Sequence, residues 1–173
     1  LSNDEMTDVG YDRPVTLPLT LKNAPNGESV TLNAFVGVCQ NICIPFQADL
    51  TVPPDPDAMA NPVEAALVTS ARAQVPPGPA ADFHVIGHEL SRDGRELLVR
   101  LKLPEGADAP KAFVSGPSGH VFVESAVSVG KAGETLMTMP IGQLPKKYKI
   151  AGKRWGILVV SGNRAMETVL AFK

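Results

Sequence analysis

The sequence reads Val30-Thr-Leu-Asn-Ala-Phe-Val-Gly-Val-Cys39-Gln-Asn-Ile-Cys43-Ile-Pro-Phe-Gln-Ala-Asp-Leu-Thr-Val52 over its most regular stretch. Apolar residues occupy every second position on both sides of the two cysteines. This period of two is typical of β-strands that present one apolar face. The stretch therefore predicts two strands, with Cys39 and Cys43 at the connection between them. The apolar positions are Val30, Leu32, Ala34, Val36 and Val38 in the first run, and Ile44, Phe46, Ala48, Leu50 and Val52 in the second.

The spacing of the two cysteines constrains the connection. In a flat strand, residues four apart lie about 13 Å from each other. A disulfide needs Cα atoms within roughly 7 Å. Gln40-Asn41-Ile42 must therefore turn if the cysteines are to pair, and Asn is suited to a turn.

Upstream of this stretch, a further alternating run predicts another strand. Val15, Leu17, Leu19 and Leu21 alternate with other residues, among them Pro18, which indicates an edge or a bulge. The turn-forming residues 23–27 separate this run from the next.

Downstream, the sequence predicts a connector with one short helix. Residues 53–57 are rich in Pro and Asp and break the strand pattern. Asn61-Pro62 is typical of an N-cap followed by Pro at the first helical position. The Ala-rich residues 63–74 follow as the helix, and Pro76-Pro-Gly-Pro79 ends it.

The remainder of the chain predicts a second all-β region. About seven short strands separated by turns indicate a β-sandwich of immunoglobulin type, with Trp155 and Phe113 as core anchors. The predicted strands are Phe83–Leu90, Glu96–Leu103, Ala112–Ser115, Val121–Val129, Glu134–Pro140, Gly156–Val160 and Thr168–Phe172.

These patterns together predict an all-β protein of tandem immunoglobulin-like β-sandwich domains joined by a short helix. The predicted domains are residues 1–58, a helical linker at 59–79, and residues 80–173. Three or four strands within residues 1–58 are few for an independent sandwich. We therefore expect the first domain to be N-terminally incomplete, with strands that belong before Leu1.

The composition agrees with an all-β protein and argues against a nucleic-acid-binding or membrane-spanning one. The chain has 173 residues, of which 44% are hydrophobic, and its 16 Pro and 15 Gly favour short strands over long helices. Its net charge of −2 gives no electrostatic footprint for nucleic acid. No apolar run approaches the roughly 20 residues that span a bilayer.

Spacing leaves two roles open for Cys39 and Cys43. A disulfide across so short a loop stabilises a fold by only about 2 kcal/mol, which is weak stapling. A close pair at a turn is also suited to thiol–disulfide exchange. Zinc is disfavoured because two thiols need two further ligands and no His lies nearby in sequence.

Two segments resemble the N-terminal periplasmic region of the DsbD/ScsB family of transmembrane thiol–disulfide electron transporters. The first segment is Gly10-Tyr-Asp-Arg-Pro-Val-Thr-Leu-Pro-Leu-Thr-Leu21. The second is Val36-Gly-Val-Cys39-Gln-Asn-Ile-Cys43-Ile-Pro-Phe-Gln-Ala-Asp-Leu50. The spacing of the cysteines and the following Ile-Pro resemble the ScsB (suppressor of copper sensitivity) branch more than DsbD itself.

The resemblance implies a periplasmic protein-disulfide reductase without a cofactor or metal, in which Cys39 and Cys43 are the redox pair. Cys43 would form the mixed disulfide with a partner. The implied partners are thioredoxin-like periplasmic proteins of isomerase or peroxiredoxin type, together with the transmembrane electron-transfer domain of the same parent protein. This chain itself would neither span the membrane nor bind nucleic acid.

Two further sets of residues are assigned around this pair. Asp4 and Glu5, ahead of Tyr11, resemble the acidic start of a loop that caps the pair in DsbD. The aromatic residues of the DsbD cap loop have no counterpart in this chain. The turn and its apolar neighbours are the predicted docking surface for a partner, namely Ile42, Pro45 and Phe46.

Other motifs favour structural roles. His84 and His88 are four apart but lie in a predicted strand, and Met137 and Met139 are more typical of a core than of a Cu(I) site. The basic residues 146–149 indicate a solvated loop. Two alternatives to exchange are a non-catalytic interaction module with a structural disulfide and a copper-handling module.

Overall fold

The structure is a computed structural model that describes residues 2–3, 6–7, 9–22, 28–40, 42–54, 61–106, 108–116, 121–123, 125–130 and 133–173. It divides into two compact units, Tyr11–Gln74 and Val75–Lys173, the latter grouped with the first ten residues. Two short strands, β1 (Ser2–Asn3) and β2 (Met6–Thr7), pair antiparallel near the N-terminus.

The unit at residues 11–74 contains a long β-hairpin. Strands β3 (Val30–Cys39) and β4 (Cys43–Val52) pair antiparallel along their whole length. Because successive side chains alternate between the two faces of a strand, this register places five wholly apolar pairs on one face. The two strands predicted from the alternation are thereby confirmed. The five pairs are Val30–Val52, Leu32–Leu50, Ala34–Ala48, Val36–Phe46 and Val38–Ile44.

The run at residues 15–21 forms no strand, and the prediction of one there is wrong. Leu17 and Leu19 are about three-fifths exposed. Alternation reports only which side of a strand is apolar, whereas a strand also needs a hydrogen-bonded neighbour. Pro14 and Pro18 have no N–H to donate to such a ladder.

The single helix of the described residues is α1 (Pro62–Ala73), which confirms the predicted helix to within a residue at each end. The Asn61 side chain accepts a hydrogen bond from the backbone N–H of Val63 at 3.0 Å, and Pro62 occupies the first turn. Both features stabilise the N-terminus of the helix, as the sequence predicts. Val63 and Leu67 share an exposed apolar side of this helix.

The unit that follows the helix is a sandwich of two four-stranded antiparallel sheets. One sheet has the order β5-β6-β10-β9 and the other β12-β11-β7-β8. These orders correspond to the A-B-E-D and G-F-C arrangement of immunoglobulin-type sandwiches, with one additional strand beside C. The predicted all-β, sandwich-like fold is confirmed. The strands are β5 (His84–Leu90), β6 (Glu96–Lys102), β7 (Lys111–Ser115), β8 (Val121–Phe122), β9 (Ala126–Val129), β10 (Thr135–Pro140), β11 (Arg154–Ser161) and β12 (Arg164–Ala171).

The core of the sandwich lies between the two sheets and contains the predicted anchor Trp155. This side chain is 2% exposed, and its Nε1 donates a hydrogen bond to the Tyr148 hydroxyl at 2.8 Å. The prediction that Phe113 is the other core anchor is wrong. Ala112 and Val114 point into the core, so Phe113 between them lies on the opposite face and is only half-buried.

The predicted strand at 121–129 is two strands that belong to different sheets. Val121–Phe122 pairs with β7, whereas Ala126–Val129 pairs with β10. The chain therefore passes from one sheet to the other within this run, which the sequence pattern alone does not reveal.

Candidate redox site

Cys39 and Cys43 form a disulfide at the tip of the β3–β4 hairpin. Their Cα atoms are 4.0 Å apart, so the chain does turn between them. Within the turn, the Gln40 backbone N–H donates to the Ile42 carbonyl at 3.1 Å. Ile42 is 71% exposed, and both cysteines are exposed as well.

The disulfide lies on the face of the hairpin opposite the five apolar pairs. The register places Cys39–Cys43 in line with Gly37–Pro45 and Phe35–Gln47, at alternate positions along the two strands. A Cβ built on Gly37 would lie 3.8 Å from the Cys39 Sγ, which agrees with a shared face. We call this side of the hairpin the cysteine face.

The three predicted docking residues divide between different surfaces. Pro45 lies on the cysteine face, Phe46 lies on the apolar face paired with Val36, and Ile42 belongs to the turn. Phe46 is 56% exposed. A partner that contacts both Pro45 and Phe46 would have to reach around an edge of the hairpin.

The ladder accommodates Pro45 without loss of a hydrogen bond. Antiparallel pairs alternate between hydrogen-bonded pairs, with Cα atoms about 5.5 Å apart, and closer non-hydrogen-bonded pairs at about 4.5 Å. The 4.0 Å separation places the cysteines in the closer class. Gly37–Pro45, two positions along, is then of the same class, so the missing N–H of Pro45 faces away from β3.

The hairpin offers the disulfide no positive charge. Between Val30 and Val52 the only ionisable residue besides the cysteines is Asp49, which accepts a hydrogen bond from Asn33 Nδ2 at 2.5 Å. Asp49 is six residues from Cys43, or roughly 20 Å along the strand. Since cations stabilise the reactive thiolate form of cysteine, the hairpin itself supplies no such activation.

Of the three residues assigned to the predicted cap loop, the structure describes only Tyr11. Asp4 and Glu5 lie outside the described residues. Tyr11 is described and is 71% exposed.

The histidine and methionine motifs have structural surroundings. His84 lies beside the Ala80 carbonyl at 2.9 Å from Nδ1, and His88 beside the Ala171 carbonyl at 3.1 Å from Nε2. Met137 and Met139 are 1% and 2% exposed within the sandwich core. Across the part of the chain that the structure describes, no group of three or more His, Cys, Asp or Glu side chains is placed to hold a metal ion.

Two family models match the chain, one for each of its two regions. Residues 74–173, which are more than half of the chain, match the model described as Domain of unknown function (DUF8393). The chain belongs to the DUF8393 family. Residues 2–54 match the model described as Thiol:disulfide interchange protein DsbD, N-terminal. No curated protein matches the chain.

The match to the DsbD N-terminal family falls on the region that carries the disulfide, whereas the DUF8393 match begins directly after the helix and covers the sandwich. The family and the paired cysteines are compatible with thiol–disulfide exchange, which is the general activity of that family. In that family, the DsbD N-terminal domain is periplasmic. Among the residues described here, no helix is long and apolar enough to cross a membrane.

Sequence reasoning missed one neighbour of the disulfide. Gly37 lies beside the Cys39 Sγ. The period of two that predicted the strands also places residue 37 on the same side as residue 39, so the signal was present in the alternation.

Proposed function

We propose that this chain is a periplasmic thiol–disulfide exchange module of the ScsB type. It would pass electrons from a transmembrane reductase domain of its parent protein to periplasmic partners through Cys39 and Cys43. In this proposal, residues 1–58 form the redox domain, residues 59–79 form the helical linker and residues 80–173 form the second sandwich. The partners are thioredoxin-like proteins of isomerase or peroxiredoxin type, and the ScsB assignment implies a contribution to copper tolerance.

The observation that carries the proposal is the position of the disulfide at an exposed hairpin tip. The loop that it closes has five residues, so cross-linking it would stabilise the fold by only about 2 kcal/mol. The ten-pair ladder of β3 and β4 continues for nine pairs beyond the disulfide. A disulfide so placed contributes little to folding, yet an incoming sulfur atom can reach it.

The exchange transfers two electrons and two protons from the Cys39–Cys43 dithiol to the partner disulfide. The Cys43 thiolate attacks one sulfur of a partner disulfide, and the other partner sulfur leaves as a thiolate and takes up a proton. The Cys39 thiolate then attacks the Cys43 Sγ and closes the Cys39–Cys43 disulfide. The first partner sulfur leaves as a thiolate and is protonated in turn. A dithiol of the transmembrane domain afterwards reduces the pair by the same steps in reverse.

The copper-handling alternative has less support. Its soft ligands would be Met and Cys side chains, and of these Met137 and Met139 are buried between the sheets. Both thioethers would have to leave the core to reach a metal ion.

Trapping of a mixed disulfide tests the proposal. Purified Cys39→Ala and Cys43→Ala chains are mixed with an oxidised thioredoxin-fold isomerase, and the adducts are separated without reductant. We expect a stable adduct with Cys39→Ala, because it retains Cys43 and lacks the thiol that would resolve the adduct. The double variant is the control.

Two results would count against the proposal. If neither single variant forms an adduct, exchange with such partners is refuted. An adduct formed by Cys43→Ala alone would overturn the assignment of Cys43 as the attacking residue.

A further inference from the structure

Gly37 interrupts the row of side chains on the cysteine face immediately beside the disulfide. Neither its backbone nor its surroundings require glycine. Gly37 is not among the glycines with positive φ. A Cβ added there would meet only the Cys39 Sγ, at 3.8 Å, which is an ordinary van der Waals distance. Alanine would therefore fit at this position.

Glycine also weakens the interior of a strand, because it has no side chain to pack and loses more conformational freedom on folding than other residues. Its presence within β3 is therefore not explained by the stability of the hairpin. Glycine inside a strand frequently marks a place where another backbone approaches closely. The effect of Gly37 here is to leave the flank of the Cys39 Sγ uncovered.

On the cysteine face, Gly37 leaves a gap in the row of side chains along β3. Its cross-strand partner is Pro45, whose side chain is a compact ring. The next residue along β3 on this face is Phe35, which is 72% exposed. From Cys39 to Phe35 the strand runs about 13 Å, with no side chain between them on this side of β3. One extended chain could cross the hairpin in that space.

We propose that Gly37 determines access of protein partners to the disulfide. The partner would lay the extended segment that carries its reactive cysteine across the Gly37–Pro45 pair, with Phe35 as an apolar contact beside it. The five apolar pairs lie on the other side of the hairpin from the sulfur atoms, so a partner docked there could reach them only around the tip. This inference rests on the proposed exchange function and names the surface through which it operates.

The test compares a protein reductant with a small one on the full 173-residue chain. A reduced thioredoxin and, separately, dithiothreitol reduce the Cys39–Cys43 disulfide, and acid-quenched, alkylated samples are counted by mass spectrometry. In Gly37→Val we expect the rate with thioredoxin to fall about tenfold or more, within the one to three decades over which association rates vary among interface variants. The rate with dithiothreitol stays unchanged.

Three comparisons make the result specific. Gly37→Ala, whose Cβ fits the hairpin and adds only a methyl group to the cysteine face, slows reduction by thioredoxin less than Gly37→Val does. Ala34→Val adds similar bulk on the apolar face and keeps the wild-type rate with thioredoxin. Amide hydrogen exchange across β3 and β4 checks that the hairpin of Gly37→Val is intact, as the high strand preference of Val predicts.

Failure of the inference can be distinguished from failure of the proposed function. If wild type reacts with dithiothreitol but not with thioredoxin, the exchange function is refuted. If wild type reacts with thioredoxin and Gly37→Val reacts as fast, only the access role is overturned. Equal slowing of Gly37→Val with both reductants would also overturn it, because the change would then act on the disulfide itself.

Discussion

Removal of the disulfide is expected to loosen the hairpin slightly and to leave the sandwich unaffected. The change is the double substitution of Cys39 and Cys43 by Ala. The closed loop has five residues, and its cross-link restricts the unfolded chain by about 2 kcal/mol. The buried core of the sandwich is formed by residues 83–170 alone, so none of its packing depends on the cysteines.

Two probes separate the units. Trp155 is the single tryptophan of the chain and is buried in the sandwich, so its fluorescence during urea unfolding reports that unit. Amide hydrogen exchange of β3 and β4 reports the hairpin. We expect the urea midpoint at Trp155 to stay the same. Exchange within the hairpin should accelerate about 30-fold, which corresponds to about 2 kcal/mol of opening free energy.

A shift of the Trp155 transition would refute this reasoning. Destabilisation of the sandwich by several kcal/mol would identify the disulfide as a structural element for the whole chain. The structural alternative to exchange would then be favoured. A hairpin that exchanges at the same rate with and without the disulfide would contradict the loop-closure estimate.

Two further predictions concern the sandwich. Met137→Ala should destabilise the sandwich by about 2–5 kcal/mol because the side chain is buried. Titration of the reduced variant with Cu(I) should give the same result as titration of the reduced wild type. Weakened Cu(I) binding by the variant would instead support a copper site. Asp82 accepts a hydrogen bond from Arg164 that holds the pKa of its carboxyl below the usual value. This stabilisation is present above the unfolded pKa of about 4 and is lost as the pH falls through the lower folded value. Asp82→Asn should therefore lower the Tm at pH 7, and the difference from wild type should shrink in acid; a difference independent of pH would exclude this pair as its cause.

Local patterns predicted the hairpin and the helix because each is specified by residues close in sequence. The alternation on either side of Cys39 and Cys43 sets which side chains share a face. Asn61 and Pro62 set the helix start through hydrogen bonds and a backbone angle that need no distant partner.

Features that depend on distant partners were not predictable in the same way. Residues 15–21 alternate but have no paired strand, and residues 121–129 divide between two sheets. Phe113 is a predicted core anchor, whereas the register of β7 with β11 turns its smaller neighbours inward. These outcomes depend on which strands become neighbours in space.

At the site, the sequence predicted the cysteine pair and its turn but not the surface around it. Pro45 and Phe46 are adjacent in sequence and therefore lie on opposite faces of β4. Both residues are apolar and near the cysteines in sequence, which is the basis on which they are predicted as one docking surface. Gly37 has no side chain that would indicate a role from the sequence alone.

The reduction potential of the Cys39–Cys43 disulfide tests the central claim most directly. The full chain is equilibrated with glutathione redox buffers, and the fraction of oxidised pair is counted after alkylation. The exchange account predicts a potential above about −300 mV, in the range of about −120 to −270 mV found for thiol–disulfide exchange proteins. A potential below about −300 mV is typical of structural disulfides and would contradict the account.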